Sequence, residues 1–489
     1  MIVLLTVFVY FLLLFAISRW TGRRATNETF YRADRRSPWY MVAFGMVGAS
    51  ISGITFVSVP GMVMHSQMTY LQTCMGFILG YVVVAFVLLP LYYRLNLTSI
   101  YAYLGQRLGQ RSYKTGASFF LLSKMTGAAV KFYVVCIILQ RFAFEPMGVP
   151  FAVTAVGLVL LIWLYTRRGG IKTLVWTDSL QTLCLFTALL LIIYKVATDL
   201  NIGSLGDTVS AVAGSELSRI FVWDDWASKQ NFWKQFVSGV FIVIVMTGLD
   251  QDMMQKNLTC KNLRDAQKDM CSYGVAFLPA NLLFLALGVL LVLLAKQQGG
   301  ALPAMGDELL PMYVESAENA GSSVSCSQFI SVFFVLGIVA ASFSSADSAL
   351  TSLTTIYCVD IREKPDDERL RKRVHIAMCV LFVLFILLFR VVNSTSLIDA
   401  IYIIVSYTYG PLLGLFAFGL ITRRVPRDQW VPYIAVASPF ICFAIDKAAQ
   451  TVGYTFGYEL LMMNGMLTFV LLWVSGSKRS REQKVMGKD

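Results

Sequence analysis

The chain has 489 residues, 57% of them hydrophobic and only 14% charged, with a mean hydropathy of +0.65. No soluble domain class carries that balance, so the chain reads as an all-α polytopic membrane protein. Its net charge of +12 sits in short loops between apolar runs, which is the signature of membrane topology and not of a nucleic-acid face. The nine cysteines are scattered without a CxxC pair and read as small core residues. Two histidines, His65 and His375, are too few for a histidine-rich metal centre.

Thirteen apolar spans are predicted, at 2–19, 39–60, 69–93, 117–142, 150–166, 173–196, 233–258, 270–295, 324–353, 373–392, 398–421, 430–449 and 457–475. The first, IVLLTVFVYFLLLFAIS, has no basic stretch before it and no small-residue cleavage site after it, so it reads as a retained span. Basic residues cluster in alternate loops. They include Arg23, Arg35 and Arg36 after span 1, Arg107 and Lys114 after span 3, and Arg167 and Arg168 after span 5. Lys256, Lys261 and Arg264 follow span 7, Arg369 and Arg371 follow span 9, and Arg423 and Arg424 follow span 11. With the tail, 31 of 41 lysines and arginines fall on one side. That side is cytoplasmic, the N-terminus is outside and the C-terminus inside. The outer loop 197–232 contains VWDDWASKQNFW, suited to a short interfacial helix. No short-period repeat is visible.

Several spans are not plain apolar helices. Span 2 carries FGMVGASISGITF at 44–56, where the run from Gly48 to Gly53 is poor in helix formers. Two readings stand: close helix packing through Gly45, Ala49 and Gly53 at steps of four, or a broken helix whose freed carbonyls bind a cation or solute. In span 4, Lys124 and Lys131 are seven apart and share a face. Lys131 lies about 21 Å in from residue 117, past mid-membrane, and is expected to face a central cavity. In span 6, Asp178 lies about two turns in from the cytoplasmic side. Span 7 ends its apolar part at Met246-Thr247-Gly248, and a polar helix, LDQDMMQKN, follows. Spans 2 and 7 are five apart, which fits two inverted five-helix repeats, at 39–196 and 233–421. Residues 1–38, the loop 197–232 and residues 422–489 then flank and join the repeats.

Span 9 ends in AASFSSADSALTS at 340–352. Ala341, Ser344, Ser345, Ser348 and Ser352 share one helical face, with Asp347 and Thr351 beside it. A stripe of hard oxygens with one carboxylate suits a small cation; close packing of small residues is the alternative. Asp178 and Asp347 lie at similar depth and could share one cation. Lys124, at nearly the same depth, could instead pair with either carboxylate and silence it.

These motifs resemble the sodium:solute symporter family over nearly the whole chain. The resemblance is carried by FYRADRR at 30–36, SGITFVSVP at 52–60, TSIYAYL at 98–104, GGIKTLVWTDSLQ at 169–181, DQDMMQK at 250–256 and AASFSSADSAL at 340–350. It implies a LeuT-type 5+5 inverted-repeat core with extra helices at both ends. It implies a main sodium site at Gly48, Ile51, Ala341, Ser344 and Ser345. A second sodium, used by some members, would meet Asp178, Ser344, Asp347 and Ser348; Asp347 departs from the serine or threonine usual there. By similarity to the family's sialic acid carriers, Lys131 stands where an arginine holds the solute carboxylate. Ser50, Ser52 and Thr55 match nearby hydroxyls, and Gln72 and Thr73 flank a pocket glutamine that is Cys74 here.

The expected function is sodium-coupled symport of a small polar organic solute, a sugar, a sugar acid such as sialic acid, or another carboxylate. The partners are the solute, one or two sodium ions and the lipid bilayer of a plasma membrane, with the chain acting as a monomer and not as an enzyme. The alternative is a sensor that keeps a transporter core for ligand binding. The short tail after span 13 argues against it.

Overall fold

The structure, a computed structural model, describes residues 2–23, 25–226, 228–319, 324–392 and 397–476. Among the described residues there is no strand; an isolated bridge pairs Ser37 with Cys260. Away from their ends, helices satisfy their backbone groups within their own segment, which is what a hydrocarbon environment demands.

The helices follow the apolar runs. They are α1 (Ile2–Thr21), α2 (Trp39–Ser50), α3 (Gly53–Ser66), α4 (Tyr70–Arg94), α5 (Gln110–Leu139), α6 (Phe151–Thr166) and α7 (Ile171–Asp199). Then come α8 (Phe232–Gly248), α9 (Gln251–Asn257), α10 (Leu263–Gln297), α11 (Leu309–Asn319) and α12 (Val324–Ile356). The last are α13 (Glu368–Val392), α14 (Leu397–Ile421), α15 (Val431–Thr451) and α16 (Leu460–Ser475). Among the described residues, seven helices are long and apolar enough to cross a membrane; two bent pairs pass the same test together, and four shorter helices are apolar.

The bent pairs are α2–α3, at 62°, and α8–α9, at 70°. Their cause is local. Ile51 (ψ 97°) and Ser52 (ψ 170°) are extended, so α2 stops and α3 starts in a new direction. At the second break Asp250 is extended, and its carboxylate caps the N-terminus of α9. The helix of span 2 is both broken and closely packed. A Cβ on Gly48 would sit 2.0 Å from Thr182 Oγ1 on α7, and one on Gly53 would sit 2.1 Å from Ser342 Oγ on α12.

The packing order places these breaks at the centre. Helix α7 lies against both α2 and α12, α3 against α10, α4 against α8, and α5 against α12 and α14. Phe56, Phe132, Phe284, Phe334 and Phe343 are among the fully buried rings of the resulting core.

Two expectations are corrected. The Trp-rich stretch is not a helix: residues 221–226 and 228–230 are irregular, with the Trp223 ring 4.2 Å from that of Phe232. Phe221, Trp223, Phe232 and Trp233 cluster with each other, and Trp226 is exposed. Lys256 is not a loop residue either. It lies in α9, in the interior, with its side chain 2% exposed. A seven-residue polar helix beside a charged loop shows no sign of burial in sequence, because its partners lie on other elements. The basic tail beyond 476 lies outside the described residues.

Candidate functional site

At the α2–α3 break the end of α2 leaves carbonyls without an intrahelical donor. Val47 O takes the Ile51 N–H; the carbonyls of Gly48, Ala49 and Ser50 come next at the break. Opposite them is α12. Ser345 Oγ donates to Ala49 O at 2.9 Å and to Ala341 O at 3.3 Å. The serine face of α12 therefore meets the break in α2 through Ser345 and Ala49, while Gly48 packs on Thr182 and Ser344 turns to Asp178. Ser345 and Ala49 also line a cavity of about 40 Å³ with Lys124, Asp250 and Asp252.

One turn further along α12 the carboxylates gather. Ser344 Oγ donates to Asp178 Oδ1 at 2.7 Å, and Tyr165 donates its hydroxyl to Asp347 Oδ2 at 2.6 Å. Asp178 Oδ2 faces Lys256 Nζ at 2.8 Å. Among the described residues, Asp347 Oδ1, Ser348 Oγ and Thr351 Oγ1 are buried without a hydrogen-bond partner. Orphaned hard oxygens on one helix face, next to a carboxylate, fit an alkali cation in donor chemistry.

Lys124 does not pair with Asp178 or Asp347. Its ammonium lies 3.1 Å from Asp250 Oδ2 and 2.6 Å from Asp252 Oδ2, at the α8–α9 break. The reason is direction. Lys124 on α5 faces the start of α9, while the end of α9 delivers a different lysine, Lys256, to Asp178. Asp250 also accepts from Tyr409 OH at 2.8 Å and from its own α9 N–H at Asp252 at 2.8 Å.

Beside these breaks is a cavity of about 120 Å³. Ser50, Ser52, Thr55, Lys124, Lys131 and Asp250 supply its polar wall, and Tyr70, Phe77, Tyr81, Tyr273 and Phe277 an aromatic one. Ser50 is hydrogen-bonded to Tyr273, and Ser52 Oγ lies 3.5 Å from Thr55 Oγ1. Among the described residues no carboxylate lies within ion-pair distance of Lys131, which leaves a cation facing the cavity.

Gln72 and Thr73 do not line this cavity. Gln72 Nε2 donates to Gln230 O at 2.9 Å, and Gln72 Oε1 accepts from Val222 N–H at 3.1 Å. Thr73 is hydrogen-bonded to Gln235. Both are fully buried and tie α4 to the outer loop and the start of α8. Four residues escaped sequence reasoning: Tyr165, Asp250, Asp252 and Lys256. The polar run LDQDMMQKN after an apolar span was the available signal for three of them. Tyr165 carried none.

The chain matches the model of the sodium:solute symporter family over residues 30–428. The sodium/sialic acid symporter NanT of Aliivibrio fischeri is 25% identical over 439 residues, covering 87% of this chain and 84% of that protein. SiaT of Proteus mirabilis, another sodium/sialic acid symporter, is 24% identical over 430 residues, covering 85% and 83%. A sodium-dependent multivitamin transporter of Oryctolagus cuniculus is 26% identical over 441 residues, covering 85% of this chain and 65% of the relative. The fold matches a solved structure of a sodium-coupled sialic acid symporter with a TM-score of 0.80 at 20% identity, covering 98% of this chain and 99% of that one. The family match covers both breaks and the serine face of α12, so what the geometry arranges for a cation lies within the matched region: the chain belongs to the sodium:solute symporter family of multi-pass membrane carriers.

Proposed function

We propose that the chain imports a small polar solute bearing a carboxylate, by sodium-coupled symport with alternating access. The observation that carries this reading is the Ser345 bridge to Ala49 O at 2.9 Å, which joins α12 to the break of α2 beside the solute cavity. A sodium held by the carbonyls of Gly48 and Ile51 and by Ala341, Ser344 and Ser345 would tie the two elements together and shape the adjacent cavity wall. Ion and solute then raise each other's affinity reciprocally.

Within the cavity, Lys131 takes the solute carboxylate, and Ser50, Ser52 and Thr55 take its hydroxyls. The two relatives named as sodium/sialic acid symporters support a sugar acid. Lysine offers a point charge and not a planar fork, so the carboxylate is held with less angular demand than by arginine.

The seven long helices, two bent pairs and four short apolar helices among the described residues support thirteen crossings, and the alternation of basic loops supports an N-terminus outside and a C-terminus in the cytoplasm. The two bent pairs open the two halves of a LeuT-type 5+5 core, residues 39–196 and 233–421. At the second cation position, Asp178, Ser344, Asp347 and Ser348 would share a sodium, but Lys256 already neutralises Asp178. We therefore read the coupling ion as one sodium at the main site, with the Lys256 ammonium as the resident cation of the second.

Uptake into proteoliposomes tests the function. Sodium-driven accumulation of a sugar acid that vanishes when choline replaces sodium is the expected result; equal uptake in both salts rules it out. Each sodium adds about 2.3 kcal/mol of drive per 100 mV, so the voltage dependence of accumulation reads the stoichiometry.

A further inference from the structure

Where α1 and α6 end and α13 begins, on the basic face of the bundle, a pocket of about 560 Å³ opens. Five cations, Arg23, Arg167, Arg168, Arg371 and Lys372, line it against one carboxylate, Glu368. Not all five are free. Arg371 is 3% exposed on its side chain; it donates to Asn27 Oδ1 at 2.9 Å and to Arg167 O at 3.3 Å, and forms the wall. Lys372 pairs with Glu368 at 2.8 Å on the surface. Arg23, Arg167 and Arg168 are exposed, and Arg167 stacks over the Trp163 ring at 4.9 Å. Buried His375, hydrogen-bonded to Thr166 and Thr354, forms part of the lining.

A second feature begins where the first ends. Between α6 and α13 runs a groove of about 370 Å³ whose lining is wholly apolar. On α6 it is formed by Val156 and Leu160, and on α13 by Val380, Val383 and Leu384. Trp163 and Ile376 line both the basic pocket and the groove, so the two are continuous. Ile376, Val380 and Leu384 are spaced by one helical turn each and are 48%, 55% and 55% exposed. The groove thus runs about 12 Å along the helix axis, from the basic pocket into the depth of the hydrocarbon.

We propose that this composite site binds an anionic phospholipid. The phosphate sits among Arg23, Arg167, Arg168 and Lys372, and one acyl chain lies in the groove between α6 and α13. Charge selects the headgroup. Five cations against one acid attract a lipid with net negative charge and give a zwitterionic one no gain. The tryptophan face is taken by Arg167, so it is not part of an aromatic cage for a quaternary ammonium. The groove selects a lipid over a free anion, because exposed apolar rows leading away from a charged pocket are shaped for a tethered chain. The site joins α1, which lies outside the two repeats, to α6 and α13, one from each repeat. A bound lipid would cross-link those three elements.

The test uses the full-length protein in a neutral detergent, with lipid binding read by native mass spectrometry and by thermal unfolding. The probes are phosphatidylglycerol, phosphatidylcholine and inorganic phosphate. Phosphatidylglycerol is expected to bind in preference and to raise the unfolding temperature. Arg168→Gln with Lys372→Gln should lower that preference by roughly fivefold per cation removed. Val380→Trp, which fills the groove and leaves every cation, should weaken phosphatidylglycerol binding as well. Lys261→Gln with Arg264→Gln, on another basic loop, should change neither. Equal binding of the two lipids overturns the proposal. So does an equal loss from the two pairs of charge variants, which would mean diffuse attraction. Full competition by phosphate with no effect of Val380→Trp would leave an anion pocket and no lipid site.

Discussion

Lys256 Nζ stands 2.8 Å from Asp178 Oδ2, and both side chains are 2% exposed or less. The same carboxylate accepts the Ser344 hydroxyl through its other oxygen, at 2.7 Å. One buried aspartate therefore links α7, the half-helix α9 and the serine face of α12. Any motion that separates α9 from α7 must leave a charge uncompensated in a water-poor interior, or bring another cation to replace it. That is a physical route by which a sodium ion and a broken helix can influence one another.

Lys256→Gln tests the pair. Removing one partner of a buried ion pair costs about 3–5 kcal/mol, because the other charge is stranded. The variant should unfold at clearly lower temperature in choline chloride. Asp178→Asn combined with Lys256→Gln should recover most of that loss, since no charge is then stranded. If the ammonium holds the place of a second sodium, sodium should stabilise Lys256→Gln more than it stabilises the parent protein. Unfolding temperatures in matched sodium and choline buffers decide both points. An unchanged Lys256→Gln would mean that the pair does not exist.

Ser345→Ala addresses the main sodium position. It removes a hydrogen bond to Ala49 O, worth about 1 kcal/mol net, and one oxygen from the proposed coordination shell. Stability in choline should fall only slightly. The sodium concentration for half-maximal uptake should rise by about tenfold or more, the scale set by losing about 1.5–3 kcal/mol of ion–dipole interaction. A variant with the parent's sodium dependence would place the ion elsewhere.

Substitutions at Lys131 test solute recognition apart from coupling. Lys131→Gln should raise KM for a carboxylate solute by about tenfold to a hundredfold, as expected for a lost charge-assisted hydrogen bond of about 1.5–3 kcal/mol. Lys131→Arg should preserve charge and lose less. Neither change should weaken sodium-dependent stabilisation in the absence of solute. Competition uptake with sugar acids and with their uncharged amides provides the comparison: the amide should discriminate poorly between parent and Lys131→Gln.

Gln72 offers the converse control. It is held by Gln230 O and Val222 N–H at the outer loop, away from the cavity. Gln72→Ala should lower stability by about 1–3 kcal/mol, through unsatisfied buried groups, and leave KM unchanged.

What could be read from the sequence divides along a physical line. Features that depend on one helix were visible in the string. The oxygen stripe of α12 follows from steps of three and four. A candidate α2 break is marked by residues poor in helix propensity, and the inward face of Lys131 by the cost of a charge facing hydrocarbon. Which charges meet depends on how separate helices are rotated against each other. Lys124 was expected near Asp178 because the two share a depth; depth says nothing about azimuth, and Lys124 turns to Asp250 and Asp252 instead. Lys256 looked like a loop cation because seven residues between an apolar end and a charged loop carry no periodic signal of burial. Tyr165 completes the Asp347 site from α6, where one tyrosine in an apolar run resembles any interfacial aromatic. The small-residue run of span 2 supported close packing and a break alike, and the folded helix has both.

The second break carries its own prediction. Lys124 neutralises Asp250 and Asp252 together, at 3.1 and 2.6 Å, with the two carboxylates 4% and 3% exposed. Asp250 has further support: it caps α9 through the Asp252 N–H and accepts from Tyr409. Asp252 Oδ1 is buried without a hydrogen-bond partner among the described residues, so Asp252 depends more on the lysine. Lys124→Met should therefore be the most damaging single change, at about 3–5 kcal/mol, since it strands two like charges side by side. Asp252→Asn should be mild, because Lys124 keeps Asp250. Asp250→Ala should fall between them, losing a cap worth about 1 kcal/mol along with the Tyr409 bond. Adding Asp252→Asn to Lys124→Met should restore part of the loss by leaving one stranded charge in place of two. Thermal unfolding of the four variants sets the order. If Asp252→Asn proves as harmful as Lys124→Met, Asp252 has a role beyond charge balance at the break.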